Sequence, residues 1–364
     1  MMNEFFHNYK KNGHLSYVNK IKNADEFIQF DLGESAFGPS PKVDEAIKSL
    51  KKENFNNYPD INALQCKHSI SGLFEVKVDN ITCGNGADEI IENIPRILLN
   101  PEDKAIVINP TFFRFEDAVF RAGGKVIHLN TKESSNFLVD SDLTNDIIET
   151  SRKNKAKIIW LCNPNNPTTQ KIESKFIRDI IEDSDAFVVV DEAFYEYLDP
   201  ENKNSSIKLI RDYSNMITIR TLSKAYGLAG FRFGFGIGGE DIIVALEKYR
   251  LPFSLSSDAC KIATAALEDQ TYLKKVIRMT KQIRVPVVNR LKKMDKIEII
   301  DGTPINIIFL RHTSLDLARG LFNKKILVAD FNKTRSIEGR KFIRITVRKR
   351  EENELLIDAI ESLI

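Results

Sequence analysis

Cysteine is scarce in this chain. Cys66, Cys83, Cys162 and Cys260 are the only four in 364 residues. They stand far apart, without the short-spaced pairs that hold zinc or an iron–sulfur cluster. No disulfide framework is expected, and reduced thiols in a cytoplasmic protein are. An excess of charge of one sign is missing too. The 53 Lys and Arg nearly balance 51 Asp and Glu, leaving +2, so no general pull toward nucleic acid or an anionic membrane is expected. No apolar run approaches the roughly 20 residues of a membrane span. Met1 to Lys20 is polar, carries His7 and His14, and lacks the apolar core of a secretory leader. Internal repeats, low-complexity tracts and long linkers are also absent. The basic cluster from Lys341 to Arg350 is interleaved with Ile343, Ile345 and Val347 and reads as a strand rather than a binding tail.

What is present describes a soluble globular protein: 42% hydrophobic and 29% charged residues. The length suits one large and one small domain, or two similar ones. From about residue 81, strand and helix alternate. Apolar, β-branched runs occur at 81–83, 105–109, 125–129, 157–161, 186–190, 216–219 and 231–237. Helical patterns fill most gaps, as at 88–99 and 173–181. An earlier helix over 41–50 has Pro41 in its first turn. Alternation with continuous apolar strands predicts an α/β protein with an open, mostly parallel sheet. Beyond residue 265 the pattern becomes α+β. A long helix over 271–294 is followed by strands near 297–300, 305–310, 326–328 and 342–347, a helix near 315–322, and a last helix over 351–364.

In such sheets ligands bind beyond the carboxyl ends of the strands, so the residues after each strand carry the functional reading. The sixth strand region, Met216 to Ile219, is followed by Thr221, Ser223 and Lys224, with Arg232 eight residues past the lysine. A lysine at a strand end can lose its solvation and become a nucleophile. After the first strand, Gly84-Asn85-Gly86-Ala87-Asp88-Glu89 opens a helix whose amides could cradle an anion, or Asp88 simply caps it. After the second, Pro110-Thr111-Phe112-Phe113 offers an aromatic that could stack on a flat ring or merely pack. After the fourth, Asn163-Pro164-Asn165-Asn166-Pro167-Thr168 holds more prolines and asparagines than a turn needs, and an amide there can donate to a phenolate-type oxygen. After the fifth comes Asp191, a carboxylate that is costly at the end of an apolar strand unless paired, for example with a protonated ring nitrogen. An anion cradle, an aromatic plate, an amide donor, a buried carboxylate, a reactive lysine and an arginine are together what a flat, cationic, phosphorylated aldehyde requires: pyridoxal 5'-phosphate.

Over nearly its whole length the chain resembles the fold-type-I pyridoxal-phosphate aminotransferases, in particular the histidinol-phosphate aminotransferase branch. The resemblance rests on Phe37-Gly38-Pro39-Ser40-Pro41, Tyr58-Pro59-Asp60, the Gly84–Glu89 turn, Asn163 to Thr168, Asp191-Glu192-Ala193, Ser223-Lys224 with Arg232, and Arg344-Ile345-Thr346-Val347. It implies a large cofactor-binding domain, 51–264, with a mostly parallel seven-stranded sheet, and a smaller α+β domain built from 1–50 and 265–364. It implies a homodimer with shared active sites. Lys224 would form the Schiff base with the cofactor and then act as acid and base. Asp191 would keep the pyridine nitrogen protonated, Asn166 would bond the ring 3-oxygen, and Phe112 would stack on the ring. The amides of Ala87 and Asp88, with Ser223, Thr221 and Arg232, would hold the phosphate, and Tyr58 would reach the neighbouring subunit's phosphate. Arg344, with Glu34 and Arg348, would meet the substrate.

The chain departs from that family where the substrate is read. Phe194 stands where the family has tyrosine, which removes a hydroxyl from the ring 3-oxygen. Thr169 replaces a glycine. Ala329 stands where a second phosphate-binding arginine is expected. Arg348 replaces a glycine, and on a strand it would share a face with Arg344. The resemblance therefore implies an aminotransferase that moves an amino group between glutamate/2-oxoglutarate and a small phosphorylated amine or keto compound. That compound is histidinol phosphate or a three-carbon amino-alcohol phosphate. A decarboxylase of phosphoserine or phosphothreonine is the alternative, supported by Phe194 and Arg348. A literal G-x-G-x-x-G at Gly234–Gly239 suggests a nicotinamide dehydrogenase instead, although no strand ending in an acid follows it.

Overall fold

The computed structural model describes residues 26–52 and 55–364. The expectations for Met1 to Lys20, and for residues 1–25 of the smaller domain, lie outside the described residues. All seven strands read between residues 81 and 237 form, and they form one sheet: β1 (Ile81–Asn85), β2 (Lys104–Asn109), β3 (Lys125–Asn130), β4 (Ile158–Cys162), β5 (Phe187–Asp191), β6 (Met216–Thr221) and β7 (Phe233–Gly238). Their order is β1-β7-β6-β5-β4-β2-β3. Pairing is parallel from β6 through β3, and β7 runs antiparallel to both β6 and β1.

The central strands are largely apolar because both faces are covered, whereas the edge strand β3 is only half-buried. Along β2, β4 and β5 successive residues point to opposite sides. Val107, Trp160 and Val189 pack with Ile90, Ile91 and Ile94 of the helix Ala87–Leu98 (α2, after α1, Pro41–Lys48). Ile106, Ile159, Val188 and Val190 pack on the other face with Ile147, Ile177 and Ile180. The strand order brings the ends of β1, β4, β5, β6 and β7 toward one rim of the sheet, which is what gathers a site from distant segments.

Gly234 and Gly236 lie inside β7 rather than in a turn after it, and only Gly238 and Gly239 lead from the strand into the helix Glu240–Tyr249. A dinucleotide fingerprint needs its first glycines in the turn, so that structural context is missing. Gly234 is small for a packing reason. A Cβ there would collide with the Ala87 amide and lie 2.6 Å from the Gly86 carbonyl carbon.

A second, antiparallel sheet holds β8 (Ile297–Ile299), β9 (Ile307–His312), β10 (Ala329–Asp330) and β11 (Ile343–Thr346), in the order β10-β11-β9-β8. The strand Ile28–Gln29 pairs in parallel with Ile326–Leu327. The long helix α3 (Gln270–Leu291) and the last helix α4 (Arg350–Glu361) cover this sheet through Val287, Leu291, Leu356, Ile357 and Ile360. Val43 and Ala46 of α1 pack in a core that contains Cys66, Ile81 and Phe235 as well as Leu273, Ile305 and Ile307. No helix among the described residues is long and apolar enough to cross a membrane.

Candidate active site

Lys224 follows β6, and its Nζ donates 2.8 Å to the carbonyl of Leu32, in the loop after Ile28–Gln29. The amine lies 5.2 Å from the centre of the Phe194 ring. Burial lowers its pKa to about 8, and the positive Arg344 nearby works in the same direction. At pH 7.5 that leaves roughly a quarter of the amine neutral, against about one part in a thousand for an exposed lysine.

Asp191 ends β5 and is fully buried, with Oδ1 accepting 2.9 Å from the Ala193 amide. Burial pushes its carboxyl up to about 7, and the Ala193 bond and Lys224 pull it back. A cationic nitrogen placed against Asp191 would restore its charge.

The anion cradle lies at the start of α2. Gly86, at φ 75°, is the residue before the helix and offers no side-chain cap, so the amides of Ala87 and Asp88 keep their donors. Asp88 does not cap the helix. Its carboxylate pairs with Arg114 Nε at 3.1 Å and with Arg232 Nη2 at 3.6 Å. Arg232 adopts φ 55° and donates from Nη1 to the Ala229 carbonyl. Its guanidinium lies so close to Gly86 that a Cβ there would overlap Nη2. Thr221 Oγ1 lies 2.9 Å from Ser223 Oγ and 3.3 Å from the Phe233 carbonyl, so two hydroxyls sit side by side here. Uncapped helix amides, a guanidinium and a hydroxyl form a donor set suited to phosphate.

Asn165 and Asn166, adjacent in sequence, differ in use. Asn165 is structural: it bonds Thr111 Oγ1, the Pro110 carbonyl and Thr168 Oγ1, each at 2.8 Å. Asn166 Oδ1 accepts from Arg344 Nη1 at 2.5 Å. Arg344, on β11 and 4% exposed, donates from Nη2 to the Asp31 carbonyl, and its Nε has no partner among the described residues. Burial lowers its pKa to about 10. Phe112 packs edge-on against Phe113 and Phe115 at 5.2 and 5.7 Å.

The remaining predicted residues are placed less centrally. β11 ends at Thr346, so Arg348 is off the strand that was to align it with Arg344. Its Nε and Nη2 hold Glu352 Oε1 at 2.9 and 2.8 Å. Glu34 lies within electrostatic range of Lys224 and Asp31, and its carbonyl accepts from Asn306 at 3.1 Å. Tyr58 is 84% exposed and stacks on Phe253 at 4.6 Å. Ala329 lies directly opposite Arg344 across β10 and β11, its methyl among Phe309, Phe331 and Phe342. Facing residues share a face of the sheet, so Arg344 has an apolar neighbour where a second cation could stand.

The sequence reading missed the ionic network behind Lys224. Arg220 is fully buried and donates to Glu192, Glu196, Asn202 and Ser205 at 2.8 to 3.0 Å. Its signal was visible: an arginine closing an apolar strand, with two glutamates four residues apart. Asp31 was missed as well, because a lone aspartate in a loop has no pattern. No cluster of three or more potential metal ligands exists among the described residues.

Comparison with known proteins gives the family and the fold. The family model described as aminotransferase class I and II matches residues 25–360. The chain is 31% identical over 354 residues to histidinol-phosphate aminotransferase 1 of Bacillus cereus, covering 96% of this chain and 92% of that one. Its fold is similar to the crystal structure of histidinol-phosphate aminotransferase from Sinorhizobium meliloti in complex with pyridoxal-5'-phosphate (22% identity, 100% and 98% coverage, TM-score 0.84). It is also similar to that of L-threonine-O-3-phosphate decarboxylase from Porphyromonas gingivalis (19% identity, 92% and 99% coverage, TM-score 0.77).

Proposed function

The chain belongs to the aminotransferase class I and II family, and from that premise we propose that it is a pyridoxal-phosphate-dependent aminotransferase acting on a small phosphorylated amine or its keto partner. Glutamate and 2-oxoglutarate form the second pair. The observation that carries the reading is the Lys224 amine, brought to about 8, at a strand end next to that of the buried Asp191.

The residues present fit the cofactor. Arg232, Ser223, Thr221 and the amides of Ala87 and Asp88 would hold its phosphate. Asp191, buried with one hydrogen bond, would take the ring nitrogen's positive charge, Asn166 would donate its amide to the ring 3-oxygen, and Phe112 would cover the ring. Bound pyridoxal phosphate supplies an electrophilic carbon and a ring that accepts the electron pair released beside the amine. Lys224 acts first as nucleophile, through the neutral fraction of Nζ. The same atom then accepts a proton from the amine-bearing carbon and returns it to the neighbouring position. Arg344 keeps three of its five N–H groups uncommitted, enough for a two-pronged bond to a substrate anion.

Within this class we favour a three-carbon amino-alcohol phosphate over histidinol phosphate, because Ala329 and its aromatic neighbours leave Arg344 without a second cation. The reading includes a homodimer with shared sites. Its support is the exposed apolar set Phe55, Tyr58, Ile61, Leu251 and Phe253, with Tyr58 reaching the partner's phosphate. It also includes a division into residues 51–264 and a smaller part of 1–50 with 265–364. Phe194 and Arg348 favour a second reading, decarboxylation of phosphoserine or phosphothreonine.

A single-turnover screen separates these. Holoenzyme mixed with each phosphorylated amine should lose the aldehyde absorption and accumulate the amine form of the cofactor with the three-carbon compounds. Rapid conversion with histidinol phosphate alone refutes the smaller substrate. Release of carbon dioxide with the aldehyde retained refutes the transaminase. Lys224→Ala should lower turnover by about 10⁴-fold or more, and full activity in that variant would sink the mechanism.

A further inference from the structure

Asp31 is 8% exposed, and its Oδ1 has no hydrogen-bond partner among the described residues. Among the described residues no ion pair within 4.0 Å joins it to a cation, although Arg344, Arg348 and Glu34 all act on it electrostatically. Arg348 is engaged by Glu352 instead. The backbone at Asp31 is nevertheless at the centre of the site. Its own carbonyl takes Arg344 Nη2, and the next carbonyl, Leu32, takes Lys224 Nζ at 2.8 Å.

The segment does not need this carboxylate to hold its shape. Gly33 N donates 2.9 Å to Thr346 Oγ1, and Asn306 Nδ2 donates 3.1 Å to the carbonyls of both Gly33 and Glu34. An unpaired buried acceptor is costly, and here a segment held by these three other hydrogen bonds carries one. Arg344, bonded to the same residue, carries the complementary fault: a buried Nε with no acceptor. A ligand bearing only an anion would satisfy Arg344 and be repelled by Asp31. A ligand that also carries a donor would satisfy both.

We propose that Asp31 is a specificity-determining residue that accepts a hydrogen bond from a hydroxyl group the substrate carries beside the anionic group held by Arg344. The inference rests on the transaminase reading and deepens it: the substrate class becomes small hydroxylated amines with one anionic group. Buried polar groups left unpaired discriminate against analogues that lack the matching group.

The test compares pairs that differ by that hydroxyl. Holoenzyme is mixed with 2-amino-3-hydroxypropyl phosphate and 2-aminopropyl phosphate, and in parallel with serine and alanine. Half-reaction rates and dissociation constants are read from the cofactor absorption. The wild type should favour the hydroxylated member of a pair about 10-fold or more, chiefly through binding. In Asp31→Ala that ratio should fall below about 3, while Asp31→Asn, which keeps an acceptor oxygen, retains part of it. The melting temperature of both variants should stay level or rise.

A ratio that survives Asp31→Ala overturns the proposal. So does an equal loss on both members accompanied by a lower melting temperature, which marks a structural role. Discrimination on serine and alanine, with the phosphates unreactive, supports Asp31 and refutes the phosphorylated substrate instead. Turnover of neither pair overturns both.

Discussion

Asp191 and Glu192 follow one another at the end of β5, both carboxylates and both buried, and the fold treats them in opposite ways. Glu192 accepts from Ser205 Oγ, from the amide and hydroxyl of Ser206, and from Nε and Nη2 of Arg220, all between 2.7 and 2.8 Å. Asp191 accepts from one amide and is pushed up to about 7 by burial. The same contrast separates Arg220, saturated by four residues, from Arg344, which retains an unpaired Nε. The saturated groups hold the strand ends in place. In the reading proposed above, the unsaturated ones would find their missing partners in a bound ligand, and the cost of leaving them short is borne by the rest of the structure.

That division can be broken experimentally. The largest effect is expected on the saturated side. Arg220→Met leaves Glu192 and Glu196 buried without their cation, and should cost about 3–5 kcal/mol in denaturant unfolding. A loss under about 1 kcal/mol would mean the network is ornamental.

Asp191→Asn tests the other side through pH. The folded, cofactor-free protein holds the Asp191 proton more tightly than the unfolded chain, about 7 against 3.8. Its contribution to stability is therefore present below about pH 4 and is lost as pH rises to about 7, a swing on the order of 2–4 kcal/mol. The asparagine variant should flatten that part of the stability–pH curve and cut turnover. An unchanged curve would show that Asp191 is already paired in the resting protein.

The smallest effect probes whether every unsatisfied group marks function. Thr169 is buried with φ 62° and an unpartnered Oγ1, and a Cβ on Gly302 would overlap that hydroxyl. Left-handed backbone costs a β-branched residue about 1–2 kcal/mol, so Thr169→Gly should gain about 0.5–1 kcal/mol by thermal unfolding at unchanged activity. Gly302→Ala should destabilise the wild type more than the glycine variant, in which only the Thr169 backbone, 3.0 Å from the added Cβ, still stands in the way. If Thr169→Gly lowered activity instead, the strain would belong to the site.

The residues proposed for the cofactor could be picked out as a group because most of them sit at or just past the end of an apolar strand, and strand ends can be found from hydrophobic runs alone. The G-x-G-x-x-G stretch misled for a related reason: glycine spacing records close backbone approach, and Gly234 needs it for packing against Ala87 rather than for a phosphate turn. Arg348 misled because the alternating pattern continues past Thr346, the last residue of the strand.

By itself the sequence determined the seven buried strands, the helices between them and the list of groups available at their ends, since local periodicity dictates those. Only the tertiary structure decided which of those groups are saturated. Whether Asp191 or Glu192 meets Arg220, and whether Arg344 meets Asn166 and Asp31, depends on contacts between segments up to 313 residues apart. Burial and pairing are properties of the assembled neighbourhood, and they set which charges merely hold the fold and which remain free to act.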